Sequence, residues 1–494
     1  MTVPNMFPDQ KTPVVGVSAI LGTGGSAGDS QLKILMIGVG LSTGSKSSGD
    51  IDPVASPDDA DTYYGAGGSA ARMVRRAIDE GTGALVYGAF MADAGGTAAQ
   101  ATITVTGTAS AAGTYMVCIN GWIVNVSIAN GDAQNTIAAA IDTAIKASPY
   151  YDQMPVTSAV AANIVTLTTK EQNEEATELV TNIWQDTTTV YTANIALNTA
   201  ATAGAGALDM TAILTAAQAY HFDYIVTRCS DSTNGGLLET HCDTMSSALK
   251  GKYCQGVMGS MDTHANIVTL ATGLNAFRVQ IVDAYKCQHA HFEGAAVWTA
   301  WRMFEEGSRP QTAYSDYPIP TIKVPKLVTD HITDTQIETA LDNGITPIAV
   351  DGGGQAYIPR SVTSHCQTSG GAPDDTVLDT SNVTITHACA MDIKSDFATA
   401  WMVKPGVAFN IMDDPTDGSR IPSQYVTPLL VTRRCWGWLD RWHKQKRIVN
   451  PESPVDYKKQ VSSSRSGNRT NTRLTLPCAG GAYQFDVQLY QKAA

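Results

Sequence analysis

The sequence predicts a multidomain α/β protein, in which a core sheet with crossover helices is interrupted by an inserted β-rich domain. Apolar runs and helical periodicity alternate in residues 28–92 and again in residues 205–368. Between these segments, residues 93–204 are rich in Ala and Thr and alternate with period two. Strand, helix, strand order implies parallel strands joined by crossover helices, and 494 residues suffice for several domains.

The first half of the core begins with an apolar run. Residues 33–39 predict a buried strand, and residues 84–90 predict a second one. Between them, Ser69 is the predicted N-cap of a helix whose apolar positions are Met73, Val74, Ala77 and Ile78. These elements form one strand–helix–strand unit.

The inserted segment has the signature of a β-rich domain. Ile103 and Val105 alternate with polar residues, and "TYMVCINGWIVNVSI" contains Asn120-Gly121, a strong hairpin signal. One helix interrupts the strands, with Asp132 as its predicted N-cap and an apolar face of Ile137, Ile141 and Ile145. The segment carries nine acidic and two basic residues, so we expect it to project into solvent.

The alternation of predicted strands and helices resumes after the insert. "HFDYIVTRCSD" predicts a buried strand, and helical sequence follows over residues 236–249. Further apolar runs, "FRVQIVDA" and "GITPIAV", predict additional core strands. The loop signal "SGGAPDD" at residues 369–375 predicts a boundary before a third region.

A glycine-rich loop follows the first predicted strand, and its sequence partly resembles phosphate-binding motifs. Gly38, Gly40 and Gly44 approximate a dinucleotide fingerprint, and Gly44-Ser45-Lys46-Ser47 approximates a phosphate-binding loop. Both patterns miss the required spacing, which matters because successive N–H groups must converge on one anion. We therefore interpret the loop as a glycine-rich exit from a buried strand.

Composition describes a folded protein with few charges. Hydrophobic residues make up 43% of the chain and charged residues 16%. No apolar stretch reaches membrane-spanning length, and we expect neither an export signal nor a membrane partner. The nine cysteines are scattered without a C-x-x-C pair, which indicates reduced thiols in a protein assembled in cytosol.

Charge is concentrated in the last part of the chain. From Leu430 to the end, twelve bases face four acids, a net charge of +8, whereas the rest carries −21. Such asymmetry is typical of a surface for a charged partner. From charge alone, that partner is either nucleic acid or an acidic protein surface.

Two local clusters were considered as catalytic or metal sites. Ser260, Asp262 and His264 in "GSMDTHAN" lie close in sequence but have no G-x-S-x-G elbow. His289 and His291 would share a face if they lay on a strand, but no third metal ligand is apparent. We therefore expect no catalytic residue, no cofactor and no metal site.

The order of these segments resembles the tail sheath proteins of contractile-tailed phages, the family with the subtilisin-like sheath domain. The matching stretches include "LKILMIGVG", "YYGAGGSAARMVRRAI", "FDYIVTRCSD", "GITPIAVDGGGQAYIPRSVTS" and "GNRTNTRLTLPCAGGAYQFDVQLYQ". The inserted domain occupies the same place in the order. Between Val449 and Ser466 the chain departs from the family, which has more continuous helix there.

The resemblance implies a domain organisation. Residues 1–27 would be an N-terminal arm, residues 28–92 and 205–368 the discontinuous core, and residues 93–204 the outward-facing insert. Residues 369–494 would form an α+β, tube-proximal domain with a linking strand. The strand-forming arms would pair with neighbouring subunits through Val14, Val15 and Val17 at one end and Tyr483, Phe485, Val487 and Leu489 at the other.

The resemblance also implies a function. The chain would polymerise around a tail tube and contract, without ATP, to drive the tube through the host envelope for genome ejection. Its partners would be further copies of itself, a tail tube protein, baseplate proteins and a tail terminator, with no nucleic acid. It would belong to the virion tail and assemble in the bacterial host cytoplasm.

A basic segment, "VTPLLVTRRCWGWLDRWHKQKR", resembles the tube-facing helix of the family. The predicted tube-binding residues are Arg433, Arg434, Arg441, Lys444, Lys446 and Arg447. A solvated charged helix is the alternative, since charge runs often have no partner. Reversing Arg433, Arg434 and Arg441 to Glu is expected to impair assembly on the tube while leaving the fold intact.

Other functions remain open at this point. The chain could be the sheath of a headless tailocin or of another contractile injection system. A nucleotide-dependent or proteolytic enzyme would need one of the defective motifs to work. Another virion protein, such as an adhesin, is compatible with the β-rich insert alone. Long cylinders in the electron microscope favour the sheath, whereas a monomer with turnover favours an enzyme.

Overall fold

The structure is a computed structural model that describes residues 32–185, 194–401, 409–416, 420–422, 424–449, 460–475 and 477–479. These residues form a mixed α/β protein with several sheets, as predicted, and the largest sheet has seven strands. None of the helices in the described ranges is both long and apolar enough to cross a membrane.

The first core elements surround a fully buried strand. They are β1 Lys33–Val39, β2 Ile51–Pro53, α1 Pro57–Tyr64, α2 Ser69–Asp79 and β3 Leu85–Met91. Six of the seven residues of β1 are buried, as expected for a central strand covered on both faces. The predicted N-cap of α2 is wrong: Gly68 occupies that position, and Ser69 Oγ instead accepts a hydrogen bond from the Val39 amide.

In its described residues, the insert contains two antiparallel sheets, one α-helix and two short 3-10 helices. Its elements are β4 Gln100–Thr106, β5 Gly113–Ile119, β6 Trp122–Ile128, α3 Gln134–Lys146, β7 Val156–Ala161, β8 Ile164–Thr169, β9 Thr181–Gln185 and β10 Asn194–Thr202. Asn120 and Gly121 form the predicted turn between β5 and β6, both with positive φ. Asp132 does not cap α3, because its carboxylate accepts from the Ala129 amide and the helix begins at Gln134.

The second half of the core supplies the remaining strands of the seven-stranded sheet. Its elements are α4 Thr211–Ala217, β11 Tyr224–Thr227, α5 Ser232–Met245, β12 Gln255–Ser260, α6 His264–Leu274, β13 Val279–Asp283, α7 His291–Ser308, β14 Tyr317–Pro318, α8 Asp334–Asp342, β15 Ile345–Pro347, β16 Ala349–Val350 and β17 Ala356–Ile358. Asp231 begins α5 by accepting from the Thr233 and Asn234 amides.

The order of strands in the large sheet is β15-β13-β12-β11-β1-β3-β2. All neighbours are parallel except β2 and β3. Side chains of β1 alternate between two layers: Ile34 and Met36 pack in the cluster that includes α2 and α7, whereas Leu35 and Ile37 pack in the cluster that includes α4, α5 and α6. The chain reverses its direction of sheet growth between β1 and β11, which makes that crevice the switch point of the sheet.

The C-terminal part packs two helices against each other. Its elements are α9 Thr380–Trp401, β18 Asn410–Ile411, β19 Tyr425–Val426, α10 Pro428–Lys444, β20 Val461–Ser466 and β21 Arg469–Leu474. Thr427 caps α10 through the Leu430 amide, and Pro428 is its first residue. The buried face of α10 includes Val431, Cys435, Leu439 and Trp442, which pack with Cys389 and Ile393 of α9.

Candidate functional site

The glycine-rich loop after β1 is closed by contacts within the chain. Lys46 Nζ lies 2.6 Å from Asp52 Oδ1 and 4.9 Å from the ring centroid of Tyr63. A Cβ atom on Gly44 would lie 2.5 Å from the carbonyl oxygen of Tyr63, and one on Gly38 would lie 2.4 Å from the Ala70 nitrogen. The glycines therefore allow close packing of the loop and α2, and the lysine is held by an acid of the same chain.

The switch point between β1 and β11 holds a carboxylate that belongs to the insert. Glu171 Oε1 accepts from the backbone amide of Ser69 at 2.5 Å, at the start of α2. Its other oxygen accepts from Arg228 Nε at 3.0 Å, just after β11. Backbone amides at a helix N-terminus favour anions, and ligands of open α/β sheets bind at switch points. Here the chain fills that position with its own side chain.

A second carboxylate joins the same network. Glu175, in the short 3-10 helix Glu174–Glu178, accepts from Arg228 Nη1 at 2.8 Å and from the Ser230 amide at 2.9 Å. Burial by itself would raise the pKa of Glu171, but Arg228 and Ser69 lower it below its ordinary value. The pKa of Glu175 is raised to about 7 by burial, although the charge of Arg228 opposes the change.

The sequence cluster Ser260, Asp262 and His264 is not assembled as a catalytic triad. The carboxylate of Asp262 accepts from the Thr263 amide and from Asn266 Nδ2. His264 Nδ1 instead lies 3.1 Å from Asp283 Oδ2, at the end of the neighbouring strand β13. His264 Nε2 has no hydrogen bond to any described residue, so Ser260 is not joined to it.

His289 and His291 do not lie on a strand, so the condition for a shared strand face is not met. His289 lies before α7, and its Nδ1 is 3.2 Å from Glu293 Oε2. His291 is the first residue of α7, and its Nε2 is 2.6 Å from Glu178 Oε2. Sequence reasoning missed both carboxylate partners. The Glu293 spacing of i, i+4 was readable from the sequence, whereas Glu178 lies more than a hundred positions upstream.

The turn of the β5–β6 hairpin makes a second contact with the core. Lys323 Nζ donates to the carbonyl oxygen of Gly121 at 2.5 Å. Cys118 Sγ lies 3.5 Å from Gln288 Oε1. A Cβ atom on Gly121 would lie 2.3 Å from the His289 ring, so only glycine fits this approach without movement. The insert thus touches the core both at this turn and at the switch point.

The predicted tube-binding residues divide into two groups. Three already have acidic partners on this chain: Arg434 with Asp396, Lys444 with Asp440, and Arg447 with Asp392. Arg433, Arg441 and Lys446 are exposed and have no ion pair with the described residues, although Arg441 lies 4.9 Å from the Trp438 ring centroid. The outer face of α10 therefore carries bases, but only part of their charge is available to a partner.

The predicted inter-subunit residues lie outside the described residues: Val14, Val15, Val17, Tyr483, Phe485, Val487 and Leu489. Sequence reasoning did not identify the β20–β21 hairpin that precedes the closing segment. Its signal was the pair Gly467-Asn468 between two polar, alternating runs. Gly467 has φ of 59°, the conformation that such a turn requires.

Comparison with known proteins identifies a sequence relative. No protein-family model matches the chain. The Mu-like prophage FluMu tail sheath protein of Haemophilus influenzae is 25% identical over 353 residues, which cover 70% of each chain.

Solved structures of sheath proteins also match, at lower identity. A sheath tail protein from Desulfitobacterium hafniense matches over 89% of this chain and 91% of that chain, with 14% identity and a TM-score of 0.46. The contracted helical sheath of the anti-feeding prophage matches over 98% and 99%, with 10% identity and a TM-score of 0.48. The relationship to sheath proteins rests on the sequence match. This chain is therefore a homologue of a phage tail sheath protein, in agreement with the family that its sequence resembles.

Proposed function

We propose that the chain is the structural subunit of a contractile tail sheath, which polymerises around a tail tube and contracts to drive the tube through the host envelope for genome ejection. The observation that carries this proposal is the sequence relationship to a tail sheath protein over 353 residues. The subunit would act in the virion tail after assembly in the host cytoplasm. Its partners would be further copies, the tube, the baseplate and the tail terminator.

The switch point supports a structural rather than an enzymatic role. In doubly wound folds that bind nucleotides, the phosphate takes the N-terminus of a helix beside the switch point. In this chain Glu171 accepts from the Ser69 amide there, and its carboxylate is neutralised by Arg228. The side chains at this position bind one another and fasten the insert to the core.

The outer face of α10 supports a surface for the tube. Its exposed bases lie opposite the buried stripe of Val431, Cys435, Leu439 and Trp442, so they can meet a partner without disturbing the packing of the helix. Ion pairs between exposed groups are individually weak and screened by salt. Several such pairs can hold a sheath on an acidic tube and release it when the subunits rearrange.

The first test reverses the bases that this chain leaves without an acidic partner. The variant is Arg433→Glu, Arg441→Glu, Lys446→Glu. It leaves Arg434 unchanged, because reversing that charge would repel Asp396 and disturb the α9–α10 pair. We expect a folded subunit that assembles poorly on tubes made from the tail tube protein of the same phage. Electron microscopy measures sheath length per tube, and circular dichroism checks the fold.

A charge-preserving exchange serves as the matched control. Asp440→Lys with Lys444→Asp keeps the exposed i, i+4 pair and the net charge of the same helix face. This control is expected to form sheaths of normal length. If the triple variant forms sheaths of full length on tubes, α10 does not contribute to the tube interface. A wild-type chain that shows turnover and forms no cylinders with tubes would overturn the sheath assignment itself.

A further inference from the structure

Three potential metal ligands meet where the insert contacts the core. Glu175 and Glu178 belong to the 3-10 helix of the insert, and His291 begins the core helix α7. One ligand atom from each lies within 4.8 Å of the other two. Glu175 and His291 are buried, whereas the side chain of Glu178 is 26% exposed and connects the cluster to the surface.

The imidazole of His291 lacks the partners that a buried ring normally has. The residue is fully buried, and neither ring nitrogen has a hydrogen bond to any described residue. Its Nε2 lies 2.6 Å from Glu178 Oε2 and 4.0 Å from Glu175 Oε2, and the former oxygen also lacks an aligned hydrogen bond. Buried polar atoms are rarely left without a partner. These two atoms are therefore in close contact without the alignment of a hydrogen bond.

The charges around this position do not balance. The carboxylates of Glu171, Glu175 and Glu178 face the single guanidinium of Arg228, which leaves two negative charges when His291 is neutral. Burial of unbalanced charge is costly. A divalent cation would supply the missing charge.

We propose that Glu175, Glu178 and His291 bind one divalent transition-metal cation of the zinc type, which fastens the insert to the core. One imidazole and two carboxylates are ligands that zinc accepts, with a fourth position left for water. Zinc ligands at about 2.1 Å stand roughly 3.4 Å apart in a tetrahedron. On binding, Glu178 must therefore move away from His291 and Glu175 slightly toward it. The partly exposed side chain of Glu178 allows its movement. The inference does not depend on the sheath assignment.

The test measures zinc binding to the purified full-length chain. After treatment with a chelator and under reducing conditions, ZnCl₂ is titrated calorimetrically into the wild type and into Glu178→Gln and His291→Gln. We expect one site per chain in the wild type. Removing a ligand should weaken binding by roughly 10- to 100-fold or more, since even outer residues of metal sites have effects of that size. Zinc should also raise the melting temperature of the wild type but not that of Glu178→Gln or His291→Gln.

Glu174→Gln is the matched control, because Glu174 lies on the same short helix but is exposed. It should bind zinc as the wild type does. Weak binding that is equal in wild type, Glu178→Gln and control would assign the metal to surface acids and overturn the proposal. Absence of binding to the wild type would also overturn the proposal. If His291→Gln fails to fold, zinc binding to Glu178→Gln still tests the proposal, because the side chain of Glu178 is partly exposed.

Discussion

At the scale of single residues, buried charges hold the first half of the core to α7. Glu293 accepts from Arg72 Nε at 2.8 Å and lies 3.2 Å from His289 Nδ1. The Arg72 guanidinium is also 4.9 Å from the Phe292 ring centroid. Burial by itself would raise the pKa of Glu293, but the charge of Arg72 and the contact with His289 lower it to about 2.

The lowered pKa of Glu293 predicts how the stability of the protein changes at acid pH. A carboxyl group whose folded pKa is lowered stabilises the protein above its ordinary value of 4.5, and this stabilisation is lost as pH falls toward 2. Glu293 should contribute roughly 3 kcal/mol of the loss. Urea unfolding of Glu293→Gln between pH 3 and 7 should show lower stability at neutral pH and a shallower decline below pH 4.5. Glu174→Gln should follow the wild type. Equal declines in Glu293→Gln and wild type would contradict the assignment.

At the scale of elements, the segment after α10 pairs with residues of its own chain before the closing segment. Ile448 and Cys478 form an antiparallel bridge, the Val449 amide donates to Pro477, and the Ala479 amide donates to Arg447. These bonds belong within one subunit. The alternating residues Tyr483, Phe485, Val487 and Leu489 lie beyond them in sequence and predict a strand with one apolar face.

A truncated chain distinguishes the contacts within one chain from the predicted linking strand. Ending the chain after Ala479 keeps the Ile448–Cys478 bridge and removes the predicted linking strand. We expect a folded monomer that forms no cylinders, because main-chain hydrogen bonds between subunits would be lost. Light scattering and electron microscopy measure polymerisation, and circular dichroism measures folding.

The control keeps the strand and changes only its polar face, with Gln484→Thr and Gln488→Thr in the full-length chain. This variant should polymerise as the wild type does. Cylinders from the truncated chain would place the linking arm elsewhere. An unfolded truncated chain would show that the closing strand belongs to its own core.

At the scale of the whole molecule, the insert is both easy to excise and tightly attached. Thr97 and Ala205 pair through two hydrogen bonds of 3.1 Å, so the two chain crossings lie side by side. Elsewhere the insert supplies the carboxylates of Glu171 and Glu175 to the buried Arg228 of the core. Deleting residues 93–204 therefore leaves the core closable but removes both carboxylate partners of Arg228.

This arrangement predicts that Arg228→Met changes the free energy of unfolding in opposite directions in the chains with and without the insert. In the full-length chain, Arg228→Met should destabilise by about 3–5 kcal/mol, because it leaves two buried carboxylates without their cation. In the chain that lacks residues 93–204 and joins its ends by a short linker, the same substitution should stabilise, since it removes an unpaired charge. Urea midpoints measure both effects. The same sign in both backgrounds would refute the role of Arg228, and aggregation of both deletion chains would show that the insert is an integral layer.

Local patterns predicted the elements better than the roles of individual polar residues. The strand 33–39 and the Asn120-Gly121 turn lie where they were predicted, because burial and positive φ depend on a few adjacent residues. Ser69 and Asp132 were predicted to cap helices, yet each accepts from a different amide. The hydroxyl of Ser69 is used by β1, thirty positions away, and no local pattern contains that partner.

The sequence by itself determined the α/β alternation and the basic C-terminal region, and it predicted a β-rich insert, because periodicity and charge are properties of neighbouring residues. Only the tertiary structure decided what the insert does for the core. Glu171 meets the Ser69 amide across 102 positions and Arg228 across 57. Such pairings follow from how the chain closes its sheet and fills the switch point, and burial then makes each carboxylate depend on a partner that is distant in sequence.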